Sequence, residues 1–344
     1  MRSKLLAACA FAVLAAGAVL ARPAPAAADP APIGPVSCDR ACLQGMVDQY
    51  LVAVVAHDPS RLPLAPGARY TENGQALQLG DGFWATASAP GVYKHYFLDP
   101  RTGQAGFMGV MKENGNNVIL ALRLKLEGRQ ISEIETILGR SGLGAAGPTG
   151  APTLEAMGKP DDVWLQPAAP DSNREDVVRV SNMYFSGLQN NDGKGDYPFT
   201  DDCYRLENGM QTTSGPHTPP APPAPPPGAA GPARAPRPGP NMMSLGCKAG
   251  FQTGFFRIVT RIRDRRFPIV DEQTGVAFSF AFFDHSGAVR QYQLADGTTV
   301  QGGITAPFTW EIAEAFRIEH GKIRVVEAVL NNVPYGSKGG WDGH

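Results

Sequence analysis

The sequence predicts an α+β protein that writes one pattern twice, and three observations carry this. First, four blocks recur in the same order. VDQYLVAVVAHD (47–58) parallels SNMYFSGLQNND (181–192), and ARYTENG (68–74) parallels CYRLENG (203–209). FLDPRTGQAGFMGVMKENG (97–115) parallels IVDEQTGVAFSFAFFDHSG (269–287), and LKLEGRQISEIETIL (124–138) parallels FRIEHGKIRVVEAVL (316–330). Second, each copy opens on a helix-rich segment. Third, each continues through strand-like runs separated by turn residues. A tandem duplication of one domain, with a curved antiparallel sheet wrapped around helices, accounts for all three.

The elements follow from the N-terminus. Arg2 and Lys4, an apolar run from Leu5 to Leu20 and the small residues Ala26–Ala28 form a charged head, an apolar core and an Ala-x-Ala site. Residues 1–28 therefore read as a cleaved signal peptide. The run is too short and too alanine-rich for a membrane span, which needs about 20 strongly apolar residues. Next, Met46, Val47, Tyr50, Leu51 and Val54 lie at helical spacing. FMGVM, VILALRLKL and ISEIETIL follow as strands in the first copy; VAFSFAFF, WEIAEAFRI and IRVVEAVL follow in the second. They are rich in Val, Ile and Phe, and Glu-Asn-Gly, Asp-His-Ser-Gly and Glu-His-Gly break them as turns. The first domain spans 36–140. A Gly/Ala/Pro-rich stretch, 141–172, reads as a linker. The second domain spans 173–335 and carries a proline-rich insertion at 216–240, a composition that builds no core.

A formal charge of −1 argues against a nucleic-acid partner and against binding to a strongly anionic membrane. With the signal removed, Cys38, Cys42, Cys203 and Cys247 remain. An even count in an exported chain favours disulfides. Four cysteines permit three pairings, of which Cys38–Cys42 and Cys203–Cys247 are favoured. C-x3-C without neighbouring histidines is a poor zinc signature, and the histidines show no ligand spacing. GLGAAG (142–147) matches the dinucleotide pattern but leads into Pro-Thr-Gly-Ala-Pro instead of a helix. No metal and no cofactor are expected.

QYLVAVVAHD followed by ARYTENG resembles the opening of an NTF2-like domain, the group of ketosteroid isomerases, SnoaL-type cyclases and related dehydratases. The resemblance covers both copies, and the whole chain is similar to exported tandem NTF2-like proteins that close on NVPYG…GW. It implies two cone-shaped domains packed as an intramolecular pseudo-dimer. Under it, the isomerase tyrosine falls on Tyr50 and Tyr184, and the carboxylate base on Glu72 and Glu207. The second hydrogen-bond donor falls on Leu122 in the first copy and Glu314 in the second. The base position holds Glu where the isomerases hold Asp, which displaces the carboxylate by one methylene.

The chemistry has its own logic. Taking a proton from beside a carbonyl needs a base and a donor to the nascent oxyanion. A buried Glu has its pKa raised and can serve as either. Phe251, Phe255, Phe256, Phe278, Phe280, Phe282 and Phe283 are the expected walls of a dry cone. Other readings stand beside this one. Tyr50 and Tyr184 could be core residues, and Glu72 and Glu207 could face solvent beside an Asn-Gly turn. Glu314, between Ile312 and Phe316 on one strand face, needs a partner, a proton or a ligand if that face is buried.

The expected protein is thus secreted or periplasmic and binds a small apolar or carbonyl-bearing ligand. Tyr184, Glu207 and Glu314 are its candidate catalytic residues for isomerase or lyase chemistry; Tyr50 and Glu72 are candidate binding residues in the first copy. The alternative is a non-catalytic ligand-binding or protein-interaction module on the same scaffold.

Overall fold

Alternation decides the layers. In a strand, successive side chains point to opposite faces. Along 118–126 the even-numbered Val118, Leu120, Leu122, Leu124 and Leu126 join one apolar cluster, while Ile119 and Ala121 join another. The sheet that contains them is therefore buried on both faces. The structure, a computed structural model, describes residues 38–141, 149–217 and 239–341. The stretch read as a signal peptide (1–28), GLGAAG (142–147) and most of the proline-rich insertion (218–238) lie outside the described residues.

The protein is a mixed α+β structure with two six-stranded sheets. The first half comprises α1 (Arg40–Val55), β1 (Leu64–Glu72), β2 (Gln75–Ala76), α2 (Phe83–Thr86), β3 (Ala87–Asp99), β4 (Gln104–Glu113), β5 (Asn116–Glu127) and β6 (Gln130–Gly139). The short helices α3 (Ala151–Met157) and α4 (Asp162–Leu165) follow. The second half comprises α5 (Arg174–Gln189), β7 (Phe199–Glu207), β8 (Met210–Gln211), α6 (Cys247–Gln252), β9 (Arg261–Asp271), β10 (Val276–His285), the small hairpin β11 (Gln291–Gln293) and β12 (Thr299–Gln301), β13 (Phe308–Glu319) and β14 (Lys322–Val333).

The strand orders are β2-β1-β6-β5-β4-β3 and β8-β7-β14-β13-β10-β9, so the second sheet repeats the first strand for strand. The expectation of purely antiparallel sheets needs correction, because β1 runs parallel to β6 and β7 parallel to β14. After β2 the chain crosses to the far edge, and three reversals through β3, β4, β5 and β6 return it alongside β1 in the same direction. Both halves belong to one compact unit, Val36–His344.

Each sheet packs its own helix on one face. Leu43, Val47, Tyr50, Leu51 and Val54 of α1 bury against Tyr70, Leu122, Ile134 and Leu138. Val177, Val180, Tyr184, Phe185 and Leu188 of α5 bury against Ile312, Phe316, Val326 and Leu330. The opposite faces meet each other through Phe97, Met108, Val110 and Ile137 on one side and Ile269, Phe278, Phe280 and Val329 on the other. Phe97 and Phe278 stack with centroids 4.9 Å apart. Three of the phenylalanines assigned to the second cone are thereby reassigned. Phe278 and Phe280 belong to the layer between the sheets, and Phe282, on the same strand parity, lies beneath the Arg263 guanidinium. The β10 strand is buried throughout, so its sequence gives no contrast between faces.

Ion pairs also cross between the halves: Arg40 at the start of α1 reaches Asp271, and Arg174 at the start of α5 reaches Asp99. The stretch read as a linker contributes to the same layer, with Leu154 and Trp164 buried in it. Trp341 near the C-terminus returns to the first half, where its indole N–H donates to Thr71 Oγ1 at 2.9 Å and Arg69 and Arg123 cover its ring. Disulfides join Cys38 to Cys42 and Cys203 to Cys247, the second tying β7 to α6. No helix among the described residues is long and apolar enough to cross a membrane.

Candidate functional site

The repeated Glu-Asn-Gly is a hairpin turn with an inward-facing glutamate. Asn73 and Gly74 have φ of 47° and 74°, and Asn208 and Gly209 have φ of 46° and 73°. Two successive positive φ values suit a two-residue loop between twisted strands, and Asn-Gly supplies them. The turn fixes the register, so Glu72 and Glu207 end β1 and β7 at corresponding points. Glu207 then lies opposite Ala328, Ala328 opposite Glu314, and Glu314 opposite Ser279. The first half has the same row in Glu72, Thr136, Leu122 and Phe107. Directly opposed residues share a face, so Glu207 and Glu314 project to the α5 side from backbones about 10 Å apart. The methyl group of Ala328 leaves space between them.

A cavity of about 160 Å³ occupies that space, and Tyr184, Glu207 and Glu314 all line it. The walls include Phe255, Phe256, Phe283, Trp310, Ile312 and Leu330. Tyr184 and Glu314 are buried, and Glu207 is partly exposed. The Tyr184 ring is held among Phe251, Phe316 and Phe199, with centroids 5.3, 5.1 and 6.1 Å away. Burial pushes its hydroxyl well above the usual phenol range. Burial also raises Glu314, and the charge of Glu207 raises it further; Arg205 and the Tyr184 hydroxyl pull the other way, leaving it at about 8. At neutral pH Glu314 is therefore mainly a neutral acid, able to donate. Its Oε2 has no hydrogen-bond partner among the described residues.

Two further polar side chains line the cavity and were not singled out from the sequence. Arg205, two residues before Glu207 on the same strand face, bonds Glu207 Oε1 through Nη2 at 2.6 Å. Burial disfavours its charge, but the neighbouring Glu207 carboxylate outweighs that and holds it protonated. Its guanidinium lies over the Tyr184 and Phe256 rings. His285 ends β10 and is buried. Its Nδ1 donates to the Phe283 carbonyl at 3.1 Å, and burial lowers its pKa to about 4. Period-two alternation could have found both: Arg205 shares the parity of Glu207, and His285 that of Phe283.

The corresponding residues of the first half are arranged differently. Glu72 accepts from the Tyr70 hydroxyl at 2.9 Å, the Phe83 backbone N–H at 2.7 Å and Arg140 Nη2 at 3.2 Å. Tyr70 thus stands where Arg205 stands in the second half. Tyr50 is buried with its ring edge-on to Trp84 at 5.3 Å, and burial, then Glu72, push its hydroxyl up. Tyr50 and Glu72 do not line the cavity of the second half. His57, at φ 54°, binds the Trp84 carbonyl, and Asp58 caps the next turn. Arg261 and Arg263 pair with Asp284, and Arg265 bonds Asn182 and Ser186 of α5. Among the described residues no group of three or more His, Cys, Asp or Glu could hold a metal ion.

A family model described as a domain of unknown function (DUF8021) matches residues 170–330, from just before α5 to Leu330 in β14. No curated protein matches the chain. Among solved structures, the chain is similar to a hypothetical protein with a ketosteroid isomerase-like fold from Catenulispora acidiphila, crystallised in complex with trimethylamine. Identity is 12%, the alignment covers 29% of this chain and 87% of that one, and the TM-score is 0.22. At that score the likeness carries no weight beside the strand order described above.

Proposed function

We propose that the second half is a small-molecule pocket with cofactor-free proton-transfer chemistry, an isomerisation or elimination beside a carbonyl. The observation that carries this is the meeting of Tyr184, Glu207 and a protonated Glu314 on one cavity. The substrate carbonyl lies toward Tyr184 and Glu314, whose O–H groups donate to it. Glu207 takes a proton from the adjacent carbon, the electron pair moves onto the carbonyl oxygen, and both donors stabilise the resulting enolate. For a β,γ-unsaturated ketone, Glu207 returns the same proton to the γ-carbon and the conjugated isomer leaves. The pairing of two donors with a carboxylate base follows the ketosteroid isomerase logic already worked out for that enzyme. Arg205 fixes the Glu207 carboxylate, and the aromatic walls keep the local dielectric low, which strengthens the donors.

Size limits the substrate. An apolar cavity of about 150 Å³ holds benzene, so a void of about 160 Å³ suits a single small ring and excludes a steroid. Tyr50 and Glu72 would bind a ligand in the first half only if Glu72 released Phe83 and Arg140, which favours a scaffolding role for that half. The non-catalytic reading is favoured by one observation, the tight pairing of Glu207 with Arg205, which competes with its use as a base.

We further infer that residues 36–140 and 173–335 are two NTF2-like domains that arose by tandem duplication and pack as a pseudo-dimer, with 141–172 as the linker between them. The repeated strand order, the shared Glu-Asn-Gly turns and the matching registers support this. Export behind the 1–28 signal is supported by the two disulfides, which suit an oxidising compartment.

The test of the chemistry uses 3-cyclohexenone, which fits the cavity and conjugates to 2-cyclohexenone with a rise in ultraviolet absorbance. The mature protein should accelerate this above buffer, and Glu207→Gln should abolish the acceleration while still binding the product. Binding without any acceleration, and without exchange of the α-hydrogens into deuterated water, would replace catalysis by the binding reading.

A further inference from the structure

Three buried polar atoms without a partner among the described residues belong to side chains lining this same cavity: Glu314 Oε2, Arg205 Nε and His285 Nε2. Leaving such atoms unpaired costs about 1–3 kcal/mol each, more for charged groups, so their arrangement describes what the cavity is shaped to receive. Glu314 and Arg205 lie at the Tyr184 end, where an acceptor oxygen of the ligand would sit. His285 stands at the other end, beside Trp310, with the two ring centroids 4.4 Å apart. Glu314, Ile312 and Trp310 succeed one another along the same face of β13, so His285 is separated from Glu314 by the length of the cavity.

The tautomer of His285 follows from its one hydrogen bond. A carbonyl oxygen only accepts, so Nδ1 carries the proton donated to Phe283. Stacking against Phe308 at 4.5 Å fixes the ring plane. In the neutral ring Nε2 is then a bare lone pair, which needs a donor.

We propose that His285 is a ligand-recognition residue whose Nε2 accepts a hydrogen bond from a hydroxyl or N–H group of the ligand. Resting on the pocket reading above, this names the ligand class: a small carbonyl compound with a hydrogen-bond donor at the end away from the carbonyl. The carbonyl meets Tyr184, Glu314 and Arg205, the hydrocarbon middle meets Phe283, Ile312 and Leu330, and the donor meets His285.

The experiment compares 4-hydroxycyclohexanone with cyclohexanone by calorimetry at pH 7. The wild-type protein should prefer the hydroxyketone by roughly tenfold. His285→Phe should erase the preference, and His285→Gln, which restores an acceptor oxygen, should recover part of it. On the wild-type protein, the Nε2 nitrogen resonance should shift with the hydroxyketone and stay in place with cyclohexanone, a readout that does not depend on either variant folding. Equal binding of the two ketones with a static Nε2 resonance would overturn the role of His285 and leave the pocket standing. Failure of both ketones to bind the wild-type protein at millimolar concentration would overturn the pocket together with this proposal.

Discussion

Asp99 and Asp271 each accept the backbone N–H of the residue that precedes the other. Val270 N–H donates to Asp99 Oδ2 at 3.0 Å, and Leu98 N–H donates to Asp271 Oδ2 at 3.1 Å. The helix-initial arginines complete the exchange: Arg40 of the first half binds Asp271, and Arg174 of the second binds Asp99. Such i-to-j and j-to-i reciprocity is the signature of a two-fold interface, here within one chain. Because both carboxylates are buried and each holds a cation and an amide, Asp99→Ala and Asp271→Ala should each cost about 3–5 kcal/mol. Urea unfolding should show the two losses to be similar, whereas the exposed Asp162→Ala should change little.

Glu314 makes stability fall with rising pH. Its folded-state pKa of about 8 lies above the ordinary 4.5, so the native protein binds a proton that the unfolded chain releases. The contribution is fully present below about pH 4.5 and is lost as pH rises through about 8. Glu314→Gln should therefore match the wild type near pH 4 and exceed it at pH 9 by a margin on the order of 5 kcal/mol, read from urea midpoints across that range. If neutral Glu314 is the oxyanion donor, isomerase activity should fall over the same upper limb, near pH 8.

Ala328 keeps the cavity open between Glu207 and Glu314. Ala328→Leu should fill the void and weaken binding of cyclohexanone by at least about tenfold, while overpacking costs roughly 1–3 kcal/mol. Calorimetry with a parallel thermal melt separates loss of the pocket from loss of the fold.

The two disulfides close loops of very different size, with sequence separations of 44 and 4. Loop-closure entropy predicts a contribution on the order of 4 kcal/mol for Cys203–Cys247 and about 2 kcal/mol for Cys38–Cys42. Replacing both cysteines of each pair by serine should lower the melting temperature more for the first pair.

The sequence carried the strands well wherever one face was distinct from the other. WEIAEAFRI alternates cleanly, and Glu314 does face the α5 side with Ile312 and Phe316. VAFSFAFF is apolar on both faces because β10 lies between a helix and a second sheet, so periodicity could not say which phenylalanines line the cavity. The parallel pairing of β1 with β6 depends on where the chain crosses the sheet, a long-range fact that local pattern does not encode. Arg205 sat in plain view two residues before Glu207, but a charge within a short strand reads as solvent-facing until the helix above it is known. His285 has no metal-ligand spacing to mark it in the sequence, because its chemistry comes from a buried ring with one nitrogen left bare.

Back-to-back packing of the sheets has a practical consequence. The apolar layer holding Phe97, Phe278 and Trp164 would be laid open to water if either half left the other. Severing the peptide chain between Ser141 and Thr149 should therefore yield two fragments that travel together through a sizing column and melt in one step. A single gene product would then behave as a heterodimer, and its halves could be expressed apart and reconstituted by mixing.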